Sequence, residues 1–148
     1  GTDRVRFEAC TNPGQIVGPI DKIASGGELA RFLLALKVVL SEGAPDKCLI
    51  FDEVDSGVGG AVADAVGARL SALGKTTQTL VITHSPQVAA KGENHFKITK
   101  TAINDKIISN TTLLNEEGHL EEVARMLAGE QITDAARMAA RTLIYDKE

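Results

Sequence analysis

The chain has 148 residues, a formal net charge of −4, 43% hydrophobic residues, 24% charged residues and 3% aromatics with no Trp. That length allows one domain, residues 1–148, with a sizeable core, built from Leu, Ile, Val and Ala. The acidic balance argues against a dedicated DNA-binding domain, the scarcity of aromatics against a base-stacking platform, and the lack of any apolar run of about 18 residues against a membrane-spanning helix.

The chain opens on Gly1-Thr2 without Met, which reads as a cut boundary. Val5, Phe7 and Ala9 alternate with Arg4, Arg6 and Glu8, the pattern of a half-exposed strand. Asn12-Pro13-Gly14 reads as a turn, and Gln15 to Lys22 as loop or a short strand pair. Leu29, Phe32, Leu33, Leu36, Val39 and Leu40 follow helical spacing. Ser25 and Glu28 form a capping box at that helix's start, and Glu42-Gly43-Ala44-Pro45 ends it. Cys48 to Phe51 is a short apolar run, expected to be a strand buried on both faces. It ends in Asp52 and Glu53. Gly57 to Gly60 is a flexible loop, and Ala61 to Leu73 a helix with Val62, Ala65, Val66, the Arg69 stem and Leu73 on one side. Thr79 to Thr83 is a second buried strand, ending at His84. Ser85 caps a short helix that has Pro86 at its first position. His95–Thr99 and Lys106–Leu114 form two strands with Asn104-Asp105 at their turn. Glu116-Glu117-Gly118 leads into a helix over about Leu120–Leu127 that Gly129 stops, and Thr133 caps a last helix reaching about Tyr145. His95 reads as a strand-face residue and His119 as a loop residue. Cys10 and Cys48 sit in apolar runs and read as buried thiols. This order implies an α/β fold with parallel strands and crossover helices, then a β-hairpin and C-terminal helices.

Three stretches carry chemistry. Asp52, Glu53 and Asp55 crowd three carboxylates at the tip of an apolar strand, where they repel one another and resist desolvation; a bound cation removes that difficulty. The plain alternative is a strand end whose turn caps the next helix. Ser25-Gly26-Gly27-Glu28 places two glycines at a helix start, which bares backbone N–H groups to an anion. A simple cap explains Ser25 and Glu28 but not the glycines, which weaken a first helical turn. His84 follows a buried strand; if that strand neighbours the one ending in Asp52, then Asp52, Glu53 and His84 share one rim, beyond the carboxyl ends of the strands, where ligands of parallel sheets bind. Gly74-Lys75-Thr76 is no phosphate loop: Arg69 stands where the first Gly belongs, and the tripeptide ends a helix instead of opening one.

Ala24-Ser-Gly-Gly-Glu28, the Leu49-Ile-Phe-Asp-Glu53 strand and Thr83-His84 together resemble the signature, Walker B and switch-histidine series of ABC-type ATPases. Asp52-Glu-Val-Asp55 is similar to the SMC-like branch and not to the Asp-Glu-Pro-Thr of transporter subunits. The wording Ser25-Gly-Gly-Glu-Leu-Ala-Arg31, Phe51-Asp-Glu-Val-Asp-Ser-Gly-Val-Gly-Gly60, Thr83-His-Ser-Pro-Gln-Val-Ala89 and Val123-Ala-Arg-Met-Leu-Ala-Gly129 resembles the RecN family of bacterial double-strand-break repair proteins. The likeness covers nearly the whole chain and implies the C-terminal lobe of a split ATPase head, with ATP and Mg²⁺ as cofactors. It implies that Asp52 holds Mg²⁺ through water and that Glu53 is the general base or water-positioner. His84 then contacts the γ-phosphate. Ser25, Gly26, Gly27 and Glu28 bind the γ-phosphate held by an opposite subunit, and Asp55, Gly57, Gly59 and Gly60 form a dimer-interface loop. It further implies an N-terminal lobe carrying Walker A, a homodimer of heads, DNA as a partner of the full-length protein, no membrane contact, and a cytoplasmic, nucleoid-associated location. No G-x-x-x-x-G-K-[ST] occurs in these 148 residues. The competing readings are another SMC-like or transporter ATPase and a nucleotide-inactive interaction module.

Overall fold

The structure is a computed structural model that describes residues 2–3, 5–10, 14, 16–19, 32, 35, 48–103, 106–129 and 131–146. Its centre is a parallel strand pair, β3 (Cys48–Asp52) and β4 (Gln78–Ile82), joined by helix α1 (Gly60–Gly74). Two short strands precede it: β1 (Glu8–Ala9) pairs antiparallel with β2 (Gly18–Pro19). The paired part of the expected first strand is therefore only two residues long. Of the expected helix over Leu29–Leu40, Phe32 and Ala35 are described, both helical, and the Phe32 ring meets Phe7 edge-on at 5.9 Å.

The register of the parallel pair decides which side chains form the core. Leu49 and Phe51 lie opposite Thr79 and Val81, on the face that α1 covers. Phe51 is 1% exposed and packs with Val66, Leu70 and Leu73 of α1 and with Val88. The other face carries Cys48 and Ile50 opposite Gln78 and Leu80, and these side chains are exposed, Ile50 by 59%. The expectation of a strand buried on both faces thus fails, as does the reading of Cys48 as a buried thiol. Only one helical layer covers the pair among the described residues. Cys10 is exposed as well. On α1 the buried residues are Ala63, Val66, Gly67, Leu70 and Leu73, while Val62 is exposed, so the inward face is rotated from the expected one. Gly67 is there for space: a Cβ would lie 3.1 Å from the Gln87 carbonyl oxygen and 3.2 Å from the Val88 Cα. Lys75 and Thr77 close the helix by donating backbone N–H bonds to carbonyls of its last turn, the turn expected of Gly74-Lys75-Thr76.

Helix α2 (Pro86–Ala89) follows, with Ser85 at its N-cap; the Ser85 hydroxyl contacts Gln87 Oε1 and makes no cap bond. Strands β5 (Phe96–Ile103) and β6 (Lys106–Leu113) form an antiparallel hairpin in unbroken register from Phe96↔Leu113 to Ile103↔Lys106; the expected turn residues Asn104 and Asp105 lie outside the described residues. Helix α3 (Glu116–Ala128) starts earlier than expected. Asn115 caps it by accepting from the Gly118 N–H at 2.8 Å, so His119 is helical and not in a loop. Gly129 ends α3 with φ 78°. Helix α4 (Asp134–Tyr145) is capped by Thr133, whose hydroxyl accepts from the Ala136 N–H at 3.2 Å. Helices α3 and α4 bury Val123, Ala124, Ala136 and Ala140 together with Ala90.

Polar contacts lock this second core to the hairpin. Glu122 is 7% exposed and accepts from Lys97 Nζ and from Arg125 Nε at 3.0 Å. Burial raises its pKa, and the bonds from Arg125 and Lys97 outweigh that, leaving it below its ordinary 4.5. His95 Nδ1 and His119 Nδ1 are 3.0 Å apart, with rings edge-to-face at 4.9 Å. One nitrogen donates and the other accepts, so the contact requires at least one neutral ring. Burial lowers the pKa of both below the ordinary 6.5; His119 and Lys97 lower His95 further while Glu122 opposes, and a hydrogen bond to the Ala90 backbone opposes the shift of His119. A folded-state pKa below the unfolded one means that the unfolded chain binds the proton more readily. The stability contributed by this pair is therefore complete above about pH 6.5 and lost as pH falls through the lower folded values. Denaturant midpoints are expected to fall between about pH 7.5 and 5.5, and the His95→Gln/His119→Gln double variant is expected to flatten that slope. An equal slope in both proteins would remove the pair as its source.

Candidate active site

The carboxyl ends of β3 and β4 lie side by side. Asp52 is in register with Ile82, and the Glu53 N–H donates to the Ile82 carbonyl at 3.0 Å, which carries the ladder one step past the strand. Thr83 and His84 follow directly. Asp52, Glu53 and His84 are all exposed, so three side chains with proton-transfer or metal-binding chemistry meet solvent at one rim. The parallel pairing expected from the two apolar runs accounts for this juxtaposition.

Glu53 is the one non-glycine residue with positive φ among the described residues, at 46°. Left-handed backbone in a long side chain stores strain of order 1 kcal/mol. The turn is held by the Ser56 N–H, which donates to the Glu53 carbonyl at 2.9 Å, and by the Val58 N–H, which donates to that of Asp55 at 3.2 Å. Gly57 continues the turn with φ 76°, which a Cβ would resist.

Asp55 departs from what the sequence suggested. The family likeness groups it with Gly57, Gly59 and Gly60, which are exposed, but Asp55 is 1% exposed and its carboxylate bonds inward to Thr83. Thr83 Oγ1 donates to Asp55 Oδ2, and the Ser85 N–H donates to Thr83 Oγ1 at 2.9 Å. Thr83 and Asp55 are 28 positions apart, and no local pattern announces their bond. Ser25, Gly26, Gly27 and Glu28 lie outside the described residues.

An exposed pair of carboxylates at a strand end suits Mg²⁺, which takes oxygen ligands and keeps several waters. Among the described residues no cluster of three or more His, Cys, Asp or Glu side chains forms a closed metal site. The arrangement fits a cation held partly through water and shared with a ligand.

No family model matches the chain. It is 48% identical over 145 residues to the DNA repair protein RecN of Rickettsia felis, 46% over 146 residues to that of Xylella fastidiosa strain Temecula1, and 40% over 144 residues to that of Halalkalibacterium halodurans. These alignments take in 97–99% of this chain and 26–27% of the relatives, so the chain spans about a quarter of their length. Among solved structures, one from work on ATP-driven dimerization and DNA stimulated activation of SMC ATPases superposes with TM-score 0.67 at 22% identity, covering 88% of this chain and 77% of its own. The Smc head domain with coiled coil and joint from Pyrococcus yayanosii gives TM-score 0.61 at 24% identity over 74% of this chain and 20% of that one. Over the quarter of their length that it spans, the chain is therefore similar to the RecN proteins, and its fold is that of SMC ATPase heads.

Proposed function

We propose that this chain is one lobe of an SMC-like ATPase head in a protein of DNA double-strand-break repair and recombination. The observation that carries the reading is the paired strand ends. Asp52 and Glu53 stand beside Thr83 and His84, joined by the Glu53–Ile82 backbone bond. Asp52 would hold Mg²⁺ through water. Glu53, exposed on its strained turn, would orient a water against the γ-phosphate and accept its proton. His84 would donate to a γ-phosphate oxygen. The magnesium ion supplies charge neutralisation on the phosphates when bound. Ser25, Gly26, Gly27 and Glu28 would meet the γ-phosphate of a nucleotide on a second head, and Gly57, Gly59 and Gly60 would border that interface. One SMC ATPase structure of similar fold comes from work on ATP-driven dimerization and DNA stimulated activation, which supports a homodimer of heads closed by ATP and a DNA partner for the whole protein. A separate lobe would supply the phosphate loop, and a soluble cytoplasmic location accords with DNA repair.

The test compares nucleotide affinities. The full-length protein is expected to bind Mg-ATP. The 148-residue chain, shown to be folded by circular dichroism, is expected to show no saturation in the micromolar range, since backbone N–H groups of a phosphate loop supply most phosphate contacts. A one-site micromolar isotherm for the chain alone would overturn the divided-head reading.

A further inference from the structure

We infer that Asp55 and Thr83 are positioning residues that fix the backbone around His84 against the turn that carries Glu53; the inference rests on the ATPase-head reading above. Two bonds tie the two strand ends together, and a third braces the segment after β4. The Glu53 N–H donates to the Ile82 carbonyl at 3.0 Å, Thr83 Oγ1 donates to Asp55 Oδ2, and the Ser85 N–H donates to Thr83 Oγ1 at 2.9 Å. His84 sits between Thr83 and Ser85, the two residues joined by the last of these bonds. The Thr83 hydroxyl spends its single proton on Asp55 and accepts from Ser85, so it serves as the pivot of the arrangement.

Burial makes this more than a surface contact. Asp55 is 1% exposed and Ser85 7% exposed, whereas Asp52, Glu53 and His84 face solvent. Asp55 Oδ1 is the one buried side-chain polar atom without a hydrogen-bond partner among the described residues. A buried carboxylate with half its acceptors unmet is an expensive way to pin a turn, and an amide or an apolar pair would hold it at lower cost. The turn itself is strained at Glu53, with φ 46°, so it keeps its shape only if neighbours over-determine it. The buried Asp55–Thr83 bond is such a constraint, and it acts on both reactive strand ends together. Releasing it would let Glu53 relax and His84 drift, and misplacement of about 1 Å costs on the order of a hundredfold in rate.

The experiment uses the full-length protein with Thr83→Val, which keeps the shape and deletes the hydroxyl, Thr83→Ser, which restores it, and Glu53→Gln as the reference for lost chemistry. Thr83→Val is expected to lower kcat by at least about tenfold, with nucleotide affinity within about twofold of wild type. Thr83→Ser is expected to return kcat to within about threefold. Without nucleotide, amide exchange over residues 83–89 is expected to speed up in Thr83→Val and to match wild type in Thr83→Ser. Wild-type kcat in Thr83→Val, an equal loss in Thr83→Ser, or unchanged amide exchange in Thr83→Val would overturn the inference. Normal turnover in Glu53→Gln would instead remove the ATPase-head reading, while the exchange measurement would still judge the Asp55–Thr83 constraint.

Discussion

Glu53→Gln in the full-length protein is expected to bind ATP within about twofold of wild type and to lose turnover by about a hundredfold or more, the usual range for deleting a general base. The amide keeps the size of the carboxylate and its position on the turn with φ 46°, but it cannot accept a proton from water. Since Glu53 is exposed and its contact with β4 runs through its backbone N–H, the substitution leaves the fold untouched. Melting temperature should stay within about 1 °C, because surface changes alter stability by less than about 0.5 kcal/mol. ATP-bound dimers should accumulate on sizing columns, as binding proceeds without release. Wild-type hydrolysis by this variant would take Glu53 out of the chemistry.

Phe51→Ala is expected to be the most damaging core change, costing about 3–5 kcal/mol. Phe51 is 1% exposed and its ring meets residues of α1 and α2, so its loss opens a cavity bordered by two helices. The neighbours cannot close that cavity easily. Gly67 already brings α1 against α2, with Gln87 and Val88 near 3.1–3.2 Å from where a Cβ would stand. Equilibrium unfolding in urea would show the drop as a lower midpoint at unchanged slope. A loss under about 1 kcal/mol would mean that the contact between the strand pair and α1 is not what holds this layer together. Because Phe51 immediately precedes Asp52, such a variant would also lose its active rim at temperatures where the wild type keeps it.

Much of this architecture was legible because its signals are local. The apolar runs at Cys48–Phe51 and Thr79–Thr83 gave the parallel pair, and the helix between them was placed to within one residue at each end. The SMC-head fold and the RecN likeness followed from motif wording that spans most of the chain. What escaped depends on contacts remote in sequence or on what covers a surface. A short apolar strand looks the same whether one face or two are covered, so the exposure of Ile50 could not be anticipated. Glu116-Glu117-Gly118 resembled an approach to a helix because glycine weakens helices. The cap explains it: a Cβ at Gly118 would come within 3.1 Å of Asn115 Oδ1, so the tight Asn115 bond favours glycine there. The inward turn of Asp55 depends on Thr83, a residue that the motif placed beside His84 without giving it a task.

Helix α2 is only four residues long, yet Val88 belongs to the core around Phe51 and Ala90 to the core between α3 and α4. Among the described residues, the two cores therefore meet through a bridge about one helical turn wide. Such a narrow bridge makes the C-terminal helices a separable unit: they can open without melting the strand pair, and hydrogen exchange should resolve them as two foldons of different opening free energy. The same bridge begins two residues after His84 and ends at the carbonyl that His119 contacts. A displacement of the α3–α4 unit at Ala90 is thus passed along α2 toward the segment that carries His84.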